Sequence, residues 1–369
     1  MSRPRILFCY RYGVLGGVSA QLLNRLPYLS RDFDVQVVYE RDHGMVGQFP
    51  PGVASVADTP DEMAAAIRRA WPDITVVIDS PRFFEAWRAA GSLGQLVLEV
   101  HTTTANRTYL RDKRQLQGVS RIITVSRYME RLLHGFGLTD LAPITVVPNC
   151  LDARWREPAP PAPPLDTAPL LWVGKLDGHK RWRTALDIME AARAGAERPS
   201  TPVLIGGFTA PAAELQALTT RLANSASLAG TVWWPRVEYD LMPRVYSAVG
   251  ANGGVHLCTS MNESFGMAVA ESVIRGCPVI APAVGALPEL LPPAALYHEG
   301  DWTTATGKLR RALTDKGFRD ELLATSAAVS ELTEPERVCD RYQRAMAELL
   351  GEHPATTTSA AAAAESEGR

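Results

Sequence analysis

Twelve short apolar runs rich in branched residues, alternating with stretches of helical spacing, constrain this chain more than any other feature. Six lie in its first part: Ile6–Tyr10, Val35–Tyr39, Ile74–Ile78, Leu96–Val100, Arg121–Val125 and Ile144–Val147. Six more follow at Leu170–Val173, Pro202–Ile205, Gly230–Trp233, Val255–Cys258, Pro278–Ala281 and Ala295–Tyr297. Runs of this kind alternating with helices read as parallel strands built from βαβ units. Between the two sets stands Pro158–Pro164, five prolines separated by alanine, which can neither join a sheet nor continue a helix. The pattern therefore predicts an α/β fold of two doubly wound domains, at 1–156 and 168–333, joined by a Pro-rich linker at 157–167. A helix follows over 334–351, with Val338, Tyr342, Met346 and Leu349 on one side and Pro335 in its first turn. The remainder, 352–369, is Ala, Thr, Ser and Glu without large apolar residues and is expected to be disordered.

The length of 369 residues agrees with two cores rather than one. Charge is balanced, 38 Lys+Arg against 40 Asp+Glu, which argues against a nucleic-acid partner. Five cysteines, at 9, 150, 258, 277 and 339, form no CxxC pair and read as buried thiols rather than a zinc site or disulfide frame. No run approaches the ~18 apolar residues of a membrane span, and the first residues lack a signal peptide's cleavage region, so a cytoplasmic location is expected. The helix at Gln21–Arg31 is the segment that would serve a peripheral membrane association.

The most informative stretch is Asn262-Glu263-Ser264-Phe265-Gly266-Met267-Ala268-Val269-Ala270-Glu271, which continues to Gly276-Cys277-Pro278. It reads as loop, helix, stop and strand. Gly266 lets the backbone approach a ligand closely, and a helix opening there offers free amides and a positive dipole end to a diphosphate. Glu263 precedes the helix and Glu271 lies about two turns along, so the two carboxylates meet different parts of one long ligand. Carboxylates accept from vicinal hydroxyls, and a nucleotide sugar presents such diols at both ends. The same two acids also suit a dipole-favoured helix start and a solvated helix face, and spacing does not decide between these readings.

Glu263-Ser-Phe-Gly with Glu271, then Gly276-x-Pro278-Val279-Ile280 and Gly285-x-x-Pro288-Glu289, resembles the donor-binding signature of retaining glycosyltransferases of family 4. The likeness extends to Gly16-Gly17, Val125-Ser126, Val147-Pro148-Asn149, Gly174-Lys175-Leu176 and Lys180. It implies a GT-B architecture, two facing Rossmann-like domains with the active site in the cleft between them. Through it, Glu263 contacts the donor sugar, Glu271 the ribose, and the amides around Phe265, Gly266, Met267 and Ala268 lie near the ribose and diphosphate. Lys175 and Lys180 stand where the family holds the diphosphate with an Arg and a Lys. Three positions depart from the pattern: Lys175 for the usual Arg, Arg181 where Gly is common, and Cys150 in the usual Pro-Asn-Gly turn. At the last, Asn149 is able to take a left-handed turn conformation if Cys150 does not.

Gly16 and Gly17 end the first strand without forming GxGxxG; they read either as a simple tight turn or, through the resemblance, as the point facing the donor phosphate. His101 follows the strand Leu96–Val100 directly, at the carboxyl end where open α/β sheets bind ligands, and the resemblance makes it a sugar contact. A structural histidine is the alternative, and the other six, at 43, 134, 179, 256, 298 and 353, show no metal-ligand spacing and read as structural or surface residues. Arg236 and Val237, in the loop after Gly230–Trp233, stand where the family reads its base. Arg11, Tyr12 and Tyr109 fall near the rim of the first domain as acceptor-side candidates. Asp32-Phe33-Asp34 has the DxD form of a metal site in a different fold, but it sits in a helix-to-strand turn. No cofactor and no essential metal are expected. The reading is a metal-independent hexosyltransferase using a nucleoside-diphosphate sugar, UDP-sugar ahead of GDP-mannose, and a small soluble acceptor ahead of a lipid. The other readings are an epimerase of nucleotide sugars on the same fold and a non-catalytic partner subunit that binds nucleotide.

Overall fold

A computed structural model describes residues 3–103 and 105–351, so the expected disordered tail and His353 lie outside the described residues. The first set of apolar runs forms β1 (Arg5–Gly13), β2 (Asp34–Asp42), β3 (Ala54–Val56), β4 (Ile74–Ile78), β5 (Gln95–Val100), β6 (Val119–Thr124) and β7 (Ile144–Val146). They pair in parallel in the order β3-β2-β1-β4-β5-β6-β7. The second set forms β8 (Ala168–Val173), β9 (Ser200–Ile205), β10 (Val232–Trp234), β11 (Val255–Leu257), β12 (Val279–Pro282) and β13 (Leu296–Tyr297), in the order β10-β9-β8-β11-β12-β13. β3, a three-residue edge strand with two exposed residues, has no apolar run to announce it. β10 begins two residues later than the pattern suggested, because Gly230 takes a positive φ in the preceding turn.

Both orders reverse direction once, between β1 and β4 and between β8 and β11. Loops leaving such neighbouring strands on opposite sides open a crevice at their carboxyl ends. The two crevices face one another, and segments from both halves meet around them. Ser126 caps the helix Arg127–Gly135, accepting from Met129 N and donating to Ser264 O at 2.6 Å in the other half. Glu289 completes that helix start across the gap, its carboxylate accepting from the amides of Arg127 (3.1 Å) and Tyr128 (2.6 Å). The Pro-rich segment carries no regular structure, as its missing donors require.

The C-terminal helix Pro335–Leu349 does not stay with the second sheet. Its buried stripe, Val338, Cys339, Tyr342 and Met346, joins the core of the first half with Phe8, Leu22, Leu29 and Phe33. The helix Gly17–Leu29 lies against it, with Gln21, Asn24 and Arg25 buried, so the segment offered as a membrane contact is an interior element. No helix among the described residues is long and apolar enough to cross a membrane. All five cysteines are buried and free.

Candidate active site

The site grows from the Gly266 turn. Gly266 takes φ 96°, and a Cβ there would stand 2.8 Å from Leu287 Cδ2, so the position needs glycine on both counts. Gly285 lets the next loop close on the first, since its Cβ would lie 2.2 Å from Glu263 O. The helix Met267–Ile274 then begins, with Val269 and Ala270 donating to Gly266 O at 3.0 and 2.9 Å. The amides of Met267 and Ala268 are left without an intrahelical partner, and both residues line a cavity of about 470 Å³ between the two halves.

All thirteen residues read above as catalytic or donor-binding line this one cavity: Glu263, His101, Lys180 and Lys175, then Gly16, Gly17, Phe265, Gly266, Met267, Ala268, Glu271, Arg236 and Val237. Gly17 faces the Met267 side chain across the gap, at 3.7 Å from where its Cβ would stand. Gly16 has an extended φ of −172° and serves as the residue before the helix rather than as a strained turn.

Glu263 accepts from Lys180 Nζ (2.5 Å) and from Ser260 Oγ (2.6 Å). Burial pushes the Glu263 carboxyl up, and Lys180 beside it outweighs that, so it is held below its ordinary range. Lys180 is affected in the opposite sense: burial lowers it, but Glu263 brings it above its ordinary value. The pair is ionised in both members at neutral pH. Lys175 is exposed at the cavity mouth.

Glu271 is a different kind of acid. It is only 6% exposed, and its neighbours are the hydroxyls of Tyr246 (3.3 Å) and Tyr239 (3.4 Å) rather than a cation. Burial raises it from 4.5 to about 7, the two phenols offsetting only part of that cost. Tyr239 also accepts from Asn24 Nδ2 (3.0 Å), which ties this carboxyl to the first half.

The departures from the family pattern resolve locally. Arg181 occupies a left-handed conformation, φ 49° and ψ 48°, where glycine would sit without strain. An ion pair to Glu299 (2.7 Å) and the face of Trp302 hold its side chain outside the cavity. Neither Asn149 nor Cys150 has a positive φ, contrary to the left-handed turn considered for Asn149. Cys150 is instead buried and pinned, its N–H donating to Gln21 Oε1 (2.8 Å) and its carbonyl accepting from Asn24 Nδ2 (2.8 Å).

Other expectations need correction. His43, His179 and His256 line the cavity, although they read as structural or surface residues. Burial beneath the Lys180–Glu263 pair pushes His256 down to about 3, which keeps its ring neutral. Arg11, Tyr12 and Tyr109 do not line the cavity: Arg11 lies over the Tyr12 ring within 4.0 Å of Glu40, and Tyr109 is packed beneath Asp79. The Asp32-Phe33-Asp34 turn lies away from the cavity, with Phe33 in the core and Asp32 accepting from Gln343.

Asp79 went unnoticed. It follows β4 as His101 follows β5, so the same strand-end rule would have found it. Its φ of 44° is rare for a residue with a side chain. Its carboxylate accepts from the His101 N–H (3.0 Å) and from Tyr109 OH (3.3 Å) at the cavity wall. Burial lifts it to about 6.

Two family models match the chain in succession, Glycosyltransferase Family 4 over residues 15–155 and Glycosyl transferases group 1 over 153–327. A D-inositol 3-phosphate glycosyltransferase from Nocardioides sp. is 27% identical over 207 residues, half of this chain; the match spans only 43% of that relative's length. A crystal structure of HepE from Anabaena in complex with UDP and glucose superposes with a TM-score of 0.79 at 16% identity, covering 94% of this chain and 100% of that one. Sucrose-phosphate synthase from Thermosynechococcus elongatus gives 0.73 at 15% identity, over 95% and 100%. At such identities the structural likeness speaks for the fold, two facing parallel-sheet domains of GT-B architecture.

Proposed function

We propose that this chain, which belongs to glycosyltransferase family 4 and is a glycosyltransferase of GT-B architecture, moves a hexose from a nucleoside-diphosphate sugar to an acceptor hydroxyl with retention at the anomeric carbon. One observation carries the reading. Glu263, ion-paired to Lys180, stands at the open amide end of the helix Met267–Ile274, and Glu271 lies about one turn into that helix in the same cavity. Both are acceptors for diols, separated by a stretch of cations and free amides suited to a diphosphate. A UDP-sugar, such as the UDP-glucose bound in an Anabaena structure of this fold, is the favoured donor, ahead of GDP-mannose.

In this reading Glu271 holds the ribose diol, and the loop at Arg236 and Val237 borders the base. The amides of Met267 and Ala268, with Lys175 and Lys180, hold the diphosphate. The bond from the anomeric carbon to the diphosphate oxygen breaks while the acceptor oxygen bonds on the same face. The acceptor proton passes to the departing phosphate oxygen, so no protein nucleophile is required. Negative charge grows on the diphosphate, where preorganised lysines and amides are worth most, and no divalent cation is invoked. Glu263 and His101 orient the sugar. On the first-sheet side, Val14, Leu15, Met45 and Asp79 form a wall of mixed polarity, and a small natural-product intermediate bearing hydroxyls suits it.

The test follows nucleoside-diphosphate release from UDP-, GDP- and dTDP-sugars in EDTA, for the wild type and Glu263→Ala. Slow release from one donor, lost in the variant, supports the transferase and names the donor. Conversion of a donor to an isomer without release would put an epimerase in its place. Binding with no reaction in the presence of an acceptor panel would indicate a partner subunit.

A further inference from the structure

His101 carries two ring nitrogens, and the structure commits one of them to the protein interior. Nε2 lies 2.8 Å from Oε1 of Glu99, a residue with no exposed surface at the end of β5. The same oxygen accepts from Arg25 Nη1 at 2.6 Å, and the other, Oε2, accepts from Tyr342 OH at 3.0 Å. Arg25 also lies over the Tyr342 ring, 4.6 Å from its centre. Burial works against the Glu99 charge, but Arg25 and the His101 hydrogen bond overcome it and bring the carboxyl down to about 2. Glu99 is therefore ionised and accepts only, so the proton of the His101–Glu99 contact belongs to the imidazole. The backbone N–H of His101 is held separately by Asp79. Nδ1 has no partner among the described residues, and His101 lines the cavity.

This arrangement is poorly suited to stability alone. Arg25 is 1% exposed, and its Nε and Nη2 find no hydrogen-bond partner among the described residues. A buried ion pair with orphaned donors gains little over an apolar replacement of the same size. What it does achieve is chemical: it fixes which nitrogen of His101 is protonated and which way the ring points.

We infer that Glu99, braced by Arg25 from the helix Gly17–Leu29 and by Tyr342 from the C-terminal helix, is a positioning residue that holds His101 in its Nε2–H form, so that Nδ1 accepts a hydrogen bond from a hydroxyl of the donor sugar. The C-terminal helix thereby becomes a working part of the site, although it follows the second domain in sequence. Only the identity of the hydroxyl rests on the transferase reading.

The experiment records two-bond ¹H–¹⁵N spectra of the histidine rings at neutral pH, with His101 assigned by His101→Gln, alongside nucleotide release from the donor found active. The Nε2–H tautomer is expected in the wild type. In the Arg25→Met/Glu99→Gln double variant, which removes both charges together, the tautomer is expected to become mixed and kcat to fall by about 10–100-fold at little-changed KM. If that variant does not fold, Tyr342→Phe keeps both charges and is expected to perturb the His101 resonances and lower kcat. An Nδ1–H tautomer or an imidazolium in the wild type overturns the inference. So does a folded double variant, or a Tyr342→Phe variant in its place, with unchanged ring spectra and kcat. The spectra need no donor: the expected tautomers in a protein that cleaves no donor uphold the positioning role and count against the transferase reading instead.

Discussion

Glu271 sets stability against function, and its replacement by glutamine should separate the two. Its carboxyl rises from 4.5 to about 7 on folding because burial penalises the charge and the hydroxyls of Tyr239 and Tyr246 offset only part of that penalty. At about 1.4 kcal/mol per pKa step, that rise corresponds to roughly 3 kcal/mol withheld from the folded state when the group is ionised. The folded protein binds the proton more tightly than the unfolded chain, so the penalty is absent below about 4.5, grows between 4.5 and 7, and is complete above 7. Glu271→Gln keeps the shape and removes the charge. Urea unfolding at pH 8 should find the variant more stable by about 1–3 kcal/mol, with the difference shrinking markedly at pH 5. Titration with UDP should find the opposite ranking, affinity falling by about 10–100-fold, because an amide has one acceptor oxygen for two ribose hydroxyls. An equal stability difference at both pH values would refute the electrostatic account. Undiminished UDP binding would remove Glu271 from the ribose.

The same pKa predicts that wild-type affinity for UDP weakens about tenfold from pH 8 to pH 6 by calorimetry, as the competent carboxylate becomes the minor form. Lys180→Ala should lower kcat for nucleotide release by about 10²–10³, since it removes a cation from the departing diphosphate and the counter-ion of Glu263; rates at saturating donor would show this. Glu289→Ala strips the cross-domain cap from the amides of Arg127 and Tyr128 and should cost about 1–2 kcal/mol in urea unfolding, and an unchanged midpoint would show that the two halves hold together without it.

The alternation of apolar runs and helices determined the two parallel sheets, because strands covered on both faces must be apolar throughout and each needs a crossover to the next. The connected string from Glu263 to Glu271 marked one wall of the cavity for a related reason. A tight glycine turn, a helix start and two acids at fixed spacing are local features, encoded by neighbours in the chain. His101 was legible from its place at a strand end. Its protonated nitrogen was not, since Glu99 reads as part of an apolar run and its partners Arg25 and Tyr342 stand 74 and 243 residues away. The acidity of Glu271 was equally invisible, because it depends on burial beneath distant segments, offset in part by hydroxyls of tyrosines brought from other elements. So was the return of the C-terminal helix to the first half: its apolar stripe states that one face must be buried, not against what. Local backbone demands and hydrophobic period are written in the order of the residues. Charge state, tautomer and docking partner arise from contacts between distant segments, and only the folded chain decides them.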